Sequence, residues 1–282
     1  MKKLLVLYVF LIIMPAIVLS QVINSFDTAP SDTNYWAYFD NQGGKHYQTS
    51  GSADSAKGWI LIDYVSDPVQ EGTGAMKLEY SAHNIESWGG YTKLEHWNPD
   101  SNAVYDWSAY DSVAFWYYNA VPQSLPGRVH LRFNLHDVSD SPNGYKTYNV
   151  GQTEYYYSFH YILDAQPGWN KVQLPIKEDP NAWNGEAFNL TFWAGIAGNG
   201  KLDANKIKGF SLEFSISGGG EDDYSTGTII LDHMTLVGRK HQNFIFFNGR
   251  DIPNQLSKFE WGQSSLEVEQ SAGPVPGTNA LK

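Results

Sequence analysis

The chain has 282 residues, a formal net charge of -11 and no cysteine. That length can bury one or two cores. The acidic balance argues against a nucleic-acid backbone as partner, and the missing cysteine excludes disulfides and a lipid-anchored Cys. Aromatic residues make up 15%, with 10 Trp and 18 Tyr, and 26 Gly and 13 Pro punctuate the chain. Short strands joined by turns fit this composition better than helices do.

Residues 1–20 read as a secretory signal. Lys2 and Lys3 give a positive start, Leu4 to Leu19 is apolar, and Val18 and Ser20 are small enough for cleavage before Gln21. Pro15 and the short apolar run argue against a membrane anchor. The expectation is therefore a secreted protein with no membrane attachment after cleavage. Without disulfides, its stability must come from core size or from a structural metal such as Ca²⁺.

The strand candidates then follow in order. They are Val22–Asp27, Trp59–Tyr64, a turn and strand over Gly72–Tyr80, Trp88–Leu94 and Ser112–Tyr118. In the last of these Val113, Phe115 and Tyr117 share one face and Ala114, Trp116 and Tyr118 the other. Arg128–Asp137 alternates strictly. Val129, Leu131, Phe133 and Leu135 point one way; Arg128, His130, Arg132, Asn134 and His136 point the other. Two Arg, two His and an Asn are not the Lys, Glu and Thr of an ordinary solvated face. Glu154–His160 puts Tyr156, Ser158 and His160 on one face and Tyr155, Tyr157 and Phe159 on the other. Gly168–Ile176 carries Pro175, which places it near a sheet edge or strand end. Asn189–Ala194 is a weak strand or turn. Lys206–Ile216 turns Phe210, Leu212, Phe214 and Ile216 inward and Ser211, Glu213 and Ser215 outward. Thr228–Val237 closes the set.

About ten strands with one apolar face each imply an all-β fold: two antiparallel sheets packed face to face as a β-sandwich, or jelly roll, over residues 21–240. Residues 241–282 read as a linker and the truncated start of a second, similar module. There Phe259-Glu260 and Gly277-Thr-Asn-Ala-Leu-Lys282 repeat, in order, Phe26-Asp27 and Gly72-Thr-Gly-Ala-Met-Lys77. The polar faces of the Arg128, Glu154 and Lys206 strands are expected to line one concave sheet with Trp116 and Tyr118. Hydrogen-bonding forks beside flat rings suit a polyhydroxylated ligand. The expected ligand residues are Trp116, Tyr118, His130, Arg132, Asn134, Tyr156, Ser158, His160 and Glu213, and no catalytic residue is expected.

Several short motifs together resemble family 11 carbohydrate-binding modules and the wider galactose-binding-like jelly-roll group. They are Phe26-Asp27, Gly72-Thr-Gly-Ala-Met-Lys-Leu78, Ser112-Val-Ala-Phe-Trp116, Val129-His-Leu-Arg-Phe133, Gly168-Trp-Asn-Lys-Val-Gln-Leu-Pro175, Lys208-Gly-Phe-Ser-Leu-Glu-Phe214 and Ile230-Leu-Asp-His-Met-Thr-Leu236. The resemblance covers about residues 22–238. It implies a Ca²⁺-stabilised jelly roll that binds β-glucan in a concave cleft, in a larger cellulase-like protein. Arg132, Ser158 and His160 look like matching cleft positions, with Tyr156 and Tyr118 as ring positions. For the cation, an early and a late-strand carboxylate with backbone carbonyls suit Ca²⁺, and Asp27 and Asp232 fit that pattern.

Two other readings stand beside this one. A jelly-roll glycosidase or lyase would use Glu213 with a partner from a loop, since a glycosidase needs two carboxylates. A cell-surface adhesion or spacer module would have no sugar ligand.

Overall fold

A computed structural model describes residues 20–27, 57–160, 168–181, 186–191, 193–220, 222–238, 268–269 and 280–281. The strands are β1 (Gln21–Asn24), β2 (Trp59–Val65), β3 (Ala75–His83), β4 (Gly90–Trp97), β5 (Ser112–Val121), β6 (Val129–Asp137), β7 (Glu154–His160), β8 (Trp169–Pro175), β9 (Asn189–Leu190), β10 (Ile207–Ile216), β11 (Tyr224–Val237), β12 (Val268–Glu269) and β13 (Ala280–Leu281). Two single-turn 3₁₀ segments, Gly144–Lys146 and Val150–Gln152, are the helical elements among the described residues. None of the described helices is long and apolar enough to cross a membrane.

The chain divides into residues 1–240 and 241–282. In the first unit one sheet has the order β2-β3-β11-β5-β8, with β1 also on β11; the other runs β4-β10-β6-β7-β9. We call them the first and second sheets. All their ladders are antiparallel. Successive strands repeatedly change sheet, which gives the jelly-roll sandwich expected from the pattern. In the second unit β12 pairs with β13. The proposed signal and most of the proposed repeat lie outside the described residues.

The apolar halves of the alternating strands meet between the sheets. Tyr80 of β3 stacks on Phe214 of β10 with centroids 4.2 Å apart, and Phe115 of β5 meets Phe133 of β6 at 5.9 Å. Phe133 also stacks on Phe210 at 5.3 Å. Each such ring contributes on the order of 1.5–3 kcal/mol by leaving water. Truncating Phe133 to Ala would cost about 3–5 kcal/mol, because the cavity adds to the lost transfer energy. Pro175 ends β8, itself the edge strand of the first sheet. A proline is tolerated there because, among the described residues, no ladder partner lies beyond it.

Candidate functional site

The outward face of the second sheet is built from three complete registers. β10 sets Glu213 opposite Lys93 of β4 and Arg132 of β6. It sets Ser211 opposite Glu95 and Asn134, and Ser215 opposite Tyr91 and His130. At the far end Gly209 lies between Trp97 and His136, and β7 brings Tyr157 beside Asn134 and Tyr155 beside His136. Each residue two positions along a strand returns to the same face, so the alternation seen in β6 and β10 carries the array across four strands. At the usual strand spacing the four strands span about 14 Å.

Glu213 is the hub. Its Oε1 accepts from Arg132 at 3.0 Å and from the Ser215 hydroxyl at 2.8 Å. Its Oε2 accepts from the Tyr155 hydroxyl at 3.0 Å and the Asn134 amide at 3.3 Å. Asn134 also donates to Ser211 at 3.0 Å. Beside this network Lys93 lies 2.5 Å from Glu95, whose other oxygen accepts the Trp97 indole N–H at 2.9 Å. The floor thus holds two cations and two carboxylates, all mostly out of water. Burial opposes the charge on Lys93, but Glu95 and Glu213 outweigh it and hold the ammonium above its ordinary range. Burial, reinforced by the Glu213 and Glu95 charges, pushes the Tyr155 hydroxyl well up, so it remains a donor.

His136 closes one end. Its ring is fully buried and stacks between Trp97 at 4.6 Å and Tyr155 at 5.3 Å. Neither ring nitrogen has a hydrogen-bond partner among the described residues. Burial and the nearby Lys93 push it well below its ordinary range, so the ring is neutral. The glycine between His136 and Trp97 leaves room for the two rings to meet. His130 is also shifted down, by burial and then by Arg132.

Two exposed tryptophans flank the array. Trp88, 52% exposed, stacks on Tyr91 at 6.4 Å on the β4 side. Trp193, 62% exposed, meets Tyr157 at 5.0 Å on the β7 side. The Arg132 guanidinium lies 5.6 Å from the Tyr157 ring and 6.0 Å from the Trp193 ring. The array therefore has a charged floor between two aromatic flanks.

Of the expected residues, His130, Arg132, Asn134 and Glu213 share this face. The others do not. Trp116 and Tyr118 belong to β5 in the first sheet, where they turn away from the core; Lys171 lies over Trp116 and Trp169 beside Tyr118. Tyr156 and Ser158 are buried and pair in register with Leu135 and Phe133, whose side chains form the core. His160 pairs with Leu131, so its position too belongs to the core side of β7. The faces of β7 are thus reversed from the expectation: Tyr155 and Tyr157 point to the array. With aromatics at both parities the segment has no pattern of its own, and only the register with β6 decides. Tyr91 and Lys93 lie inside the expected Trp88–Leu94 strand but were assigned to no face, whereas Glu95 and Trp97 lie beyond its expected end. Carried three residues further, to Trp97, the alternation puts all four on one face.

Asp27 and Asp232 meet the same loop. The Thr73 N–H donates to Asp27 at 2.5 Å, which helps hold that carboxyl below its ordinary range. Gln70 and Glu71 N–H groups donate to Asp232 at 2.8 and 3.0 Å. The Phe26 and Asp27 carbonyl oxygens lie 2.7 and 2.8 Å from where a Cβ on Gly74 would be. These are hard oxygen donors of the kind Ca²⁺ takes. Among the described residues no three His, Asp or Glu side chains converge, so backbone carbonyls would complete such a set.

No protein-family model matches the chain, and no curated protein does. Solved structures do resemble it. The family 11 carbohydrate-binding module of the cellulosomal cellulase Lic26A-Cel5E of Clostridium thermocellum is 17% identical, with a TM-score of 0.46; the match covers 78% of this chain and 95% of that one. A Clostridium thermocellum family 11 module in complex with a β-1,3-1,4-mixed-linked tetrasaccharide is also 17% identical. Its TM-score is 0.47, with 79% and 97% covered.

Proposed function

We propose that the outward face of the second sheet binds a neutral polysaccharide of the β-glucan type, without cleaving it, as part of a secreted glucan-degrading protein. The observation that carries this reading is the internally charge-paired floor between Trp88 and Tyr91 on one side and Tyr157 and Trp193 on the other. Two cations meet two carboxylates, so the floor calls for no net charge on its ligand. It still offers fixed donors and acceptors to pairs of hydroxyls. The exposed rings supply flat apolar surface for the C–H faces of sugar rings. Each carboxylate is already engaged by a cation, at 2.5 Å for Glu95 and 3.0 Å for Glu213. This favours a fixed recognition surface over the acid and base pair that hydrolysis requires. Affinity would be modest, with Kd between about micromolar and millimolar (~4–8 kcal/mol), because ligand hydroxyls leave water to bind.

Affinity electrophoresis through gels containing lichenan, xyloglucan, laminarin or no polysaccharide tests the reading. Retardation by a glucan, lost in Arg132→Ala, is the expected result. Folded protein retarded in no gel would contradict it, as would turnover of soluble β-glucan that disappears in Glu213→Gln.

Asp27 and Asp232, with the loop carbonyls, are also proposed to hold a structural Ca²⁺, which would tie β1 and β11 to the 70–74 loop. Adding Ca²⁺ after chelation should raise the thermal midpoint, and less so in Asp27→Ala. A midpoint indifferent to both ion and chelator would overturn that assignment.

A further inference from the structure

The end of the second sheet holds a pair of carboxylates that the array does not use. Asp137, the last residue of β6, sits directly opposite Glu154, the first of β7. Both side chains are fully buried. Directly opposed residues in an antiparallel pair have Cβ atoms about 5 Å apart, and like charges there repel. Among the described residues no cation forms an ion pair with either carboxylate, although the Lys206 ammonium is near enough to feel the Asp137 charge; what holds them is a set of neutral donors. Asp137 accepts the Ser139 N–H at 2.9 Å and the Asp203 N–H at 2.7 Å. Glu154 accepts the Ser139 hydroxyl at 3.0 Å, the Asn199 and Gly200 N–H groups at 3.1 and 3.2 Å, and the Tyr156 hydroxyl at 3.3 Å. Gly198 presses so closely on Glu154 that no side chain would fit there.

Half of these donors come from one segment. Residues 193–203 begin at Trp193, the exposed ring on the array's flank, and run back over the start of β7. Ile196 N–H donates to the Thr153 carbonyl at 2.8 Å, and Asn199, Gly200 and Asp203 then close on the two carboxylates. The other ionisable groups around the pair do not neutralise it. Glu178 accepts the Leu202 N–H at 3.1 Å. Asp203 accepts the Asn199 amide at 2.8 Å, and the Lys206 ammonium is bound to the Tyr145 hydroxyl at 2.5 Å. Asp106 is held by Ser108. The Tyr156 hydroxyl is pushed up by burial and by the surrounding carboxylates, so it stays protonated.

We infer that Asp137 holds a proton opposite Glu154 and acts with it as a pH-dependent clamp on the 193–203 segment, and through it on the placement of Trp193. With Asp137 protonated the two opposed carboxyls do not repel and the segment is held. When the proton leaves, two buried charges face each other across one ladder position, and the simplest relief is for the segment to loosen and admit water. Burial, with Glu154 adding to it, pushes Asp137 up to about 7, which places the transition near neutrality. The flank formed by Trp193 and Tyr157 is thus firmest in mildly acidic solution. This does not depend on what the array binds.

The test is an NMR titration of the full chain, carrying ¹³C-labelled carboxyl groups and ¹⁵N-labelled indoles, from about pH 5 to about pH 9. The resonance of the Trp193 indole N–H is identified by its loss in Trp193→Phe. The Asp137 carboxyl should titrate near neutrality, and the Trp193 indole should move with the same midpoint. In Glu154→Gln both midpoints should fall together by on the order of one pH unit, since the like charge is gone. Asp137 titrating in the ordinary carboxylate range would overturn the proposal. So would a Trp193 indole that does not move, or that follows a histidine C2–H resonance instead. Should Glu154→Gln not fold, coincidence of the two midpoints in the unmodified chain decides the matter.

Discussion

The sandwich has two outward faces, and both carry ion pairs on neighbouring strand positions. On the first sheet Lys77 meets Asp63 at 3.5 Å and Glu79 at 2.9 Å, with side chains 25%, 60% and 35% exposed. On the second, Lys93 meets Glu95 with 6% and 1% exposed, and Arg132 meets Glu213 with 16% and 6%. The same charges in the same fold therefore do different work. Water screens the Lys77 pairs, and such pairs contribute little. The buried pairs have lost their water, and removing one partner would leave the other's charge uncompensated. A surface whose polar groups are fixed before a ligand arrives is prepared for recognition.

Breaking the hub should produce the largest effect. Glu213→Ala leaves Arg132, Tyr155 and Asn134 without their shared acceptor and Lys93 with less compensation. The urea midpoint should fall by the equivalent of about 3–5 kcal/mol. Next, Trp193→Ala should weaken glucan binding by roughly tenfold, about 1.4 kcal/mol, with the urea midpoint unchanged because the ring is exposed.

The pH dependence of stability sharpens the comparison further, because two buried groups pull in opposite directions. Asp137 is raised from 3.8 to about 7. Its contribution is therefore full below pH ~4 and is lost as pH rises through about 7. His136 is shifted well below 6.5. Its contribution is present above that value and is lost as pH falls. Each is worth about 1.4 kcal/mol per pH unit where it acts alone. Just below pH 6.5, where both act, they oppose one another. His136→Phe keeps a ring in the stack and removes one side of the balance. Its urea midpoint should fall with rising pH more steeply than that of the unmodified chain. The smallest effect is expected on the first sheet, where Lys77→Ala should shift the midpoint by less than about 0.5 kcal/mol.

Much of this was legible in the sequence. The alternation in β6 and β10 placed Arg132, Asn134 and Glu213 on one face and the Phe133 and Phe214 rings in the core, because a buried sheet face demands period two. Three things were not legible. Trp116 and Tyr118 have the right parity for an outward face, but parity does not say which sheet a strand joins; that depends on pairings distant in sequence. In β7 the run Tyr155-Tyr156-Tyr157 offers equal hydrophobicity to both faces, so only the ladder with β6 could orient it. Trp193 escaped for a third reason. It lies beyond a two-residue strand, and its position is set by the 193–203 segment folding back on Glu154 and Asp137.

The central claim is that the ligand face belongs to the second sheet and not the first. Affinity electrophoresis of the unmodified chain, Trp193→Ala and Trp116→Ala through a lichenan gel tests it most directly. Retardation of the unmodified chain that is kept in Trp116→Ala and lost or sharply reduced in Trp193→Ala is the predicted result. Retardation lost in Trp116→Ala and kept in Trp193→Ala would contradict it and move the binding surface to the opposite side of the sandwich.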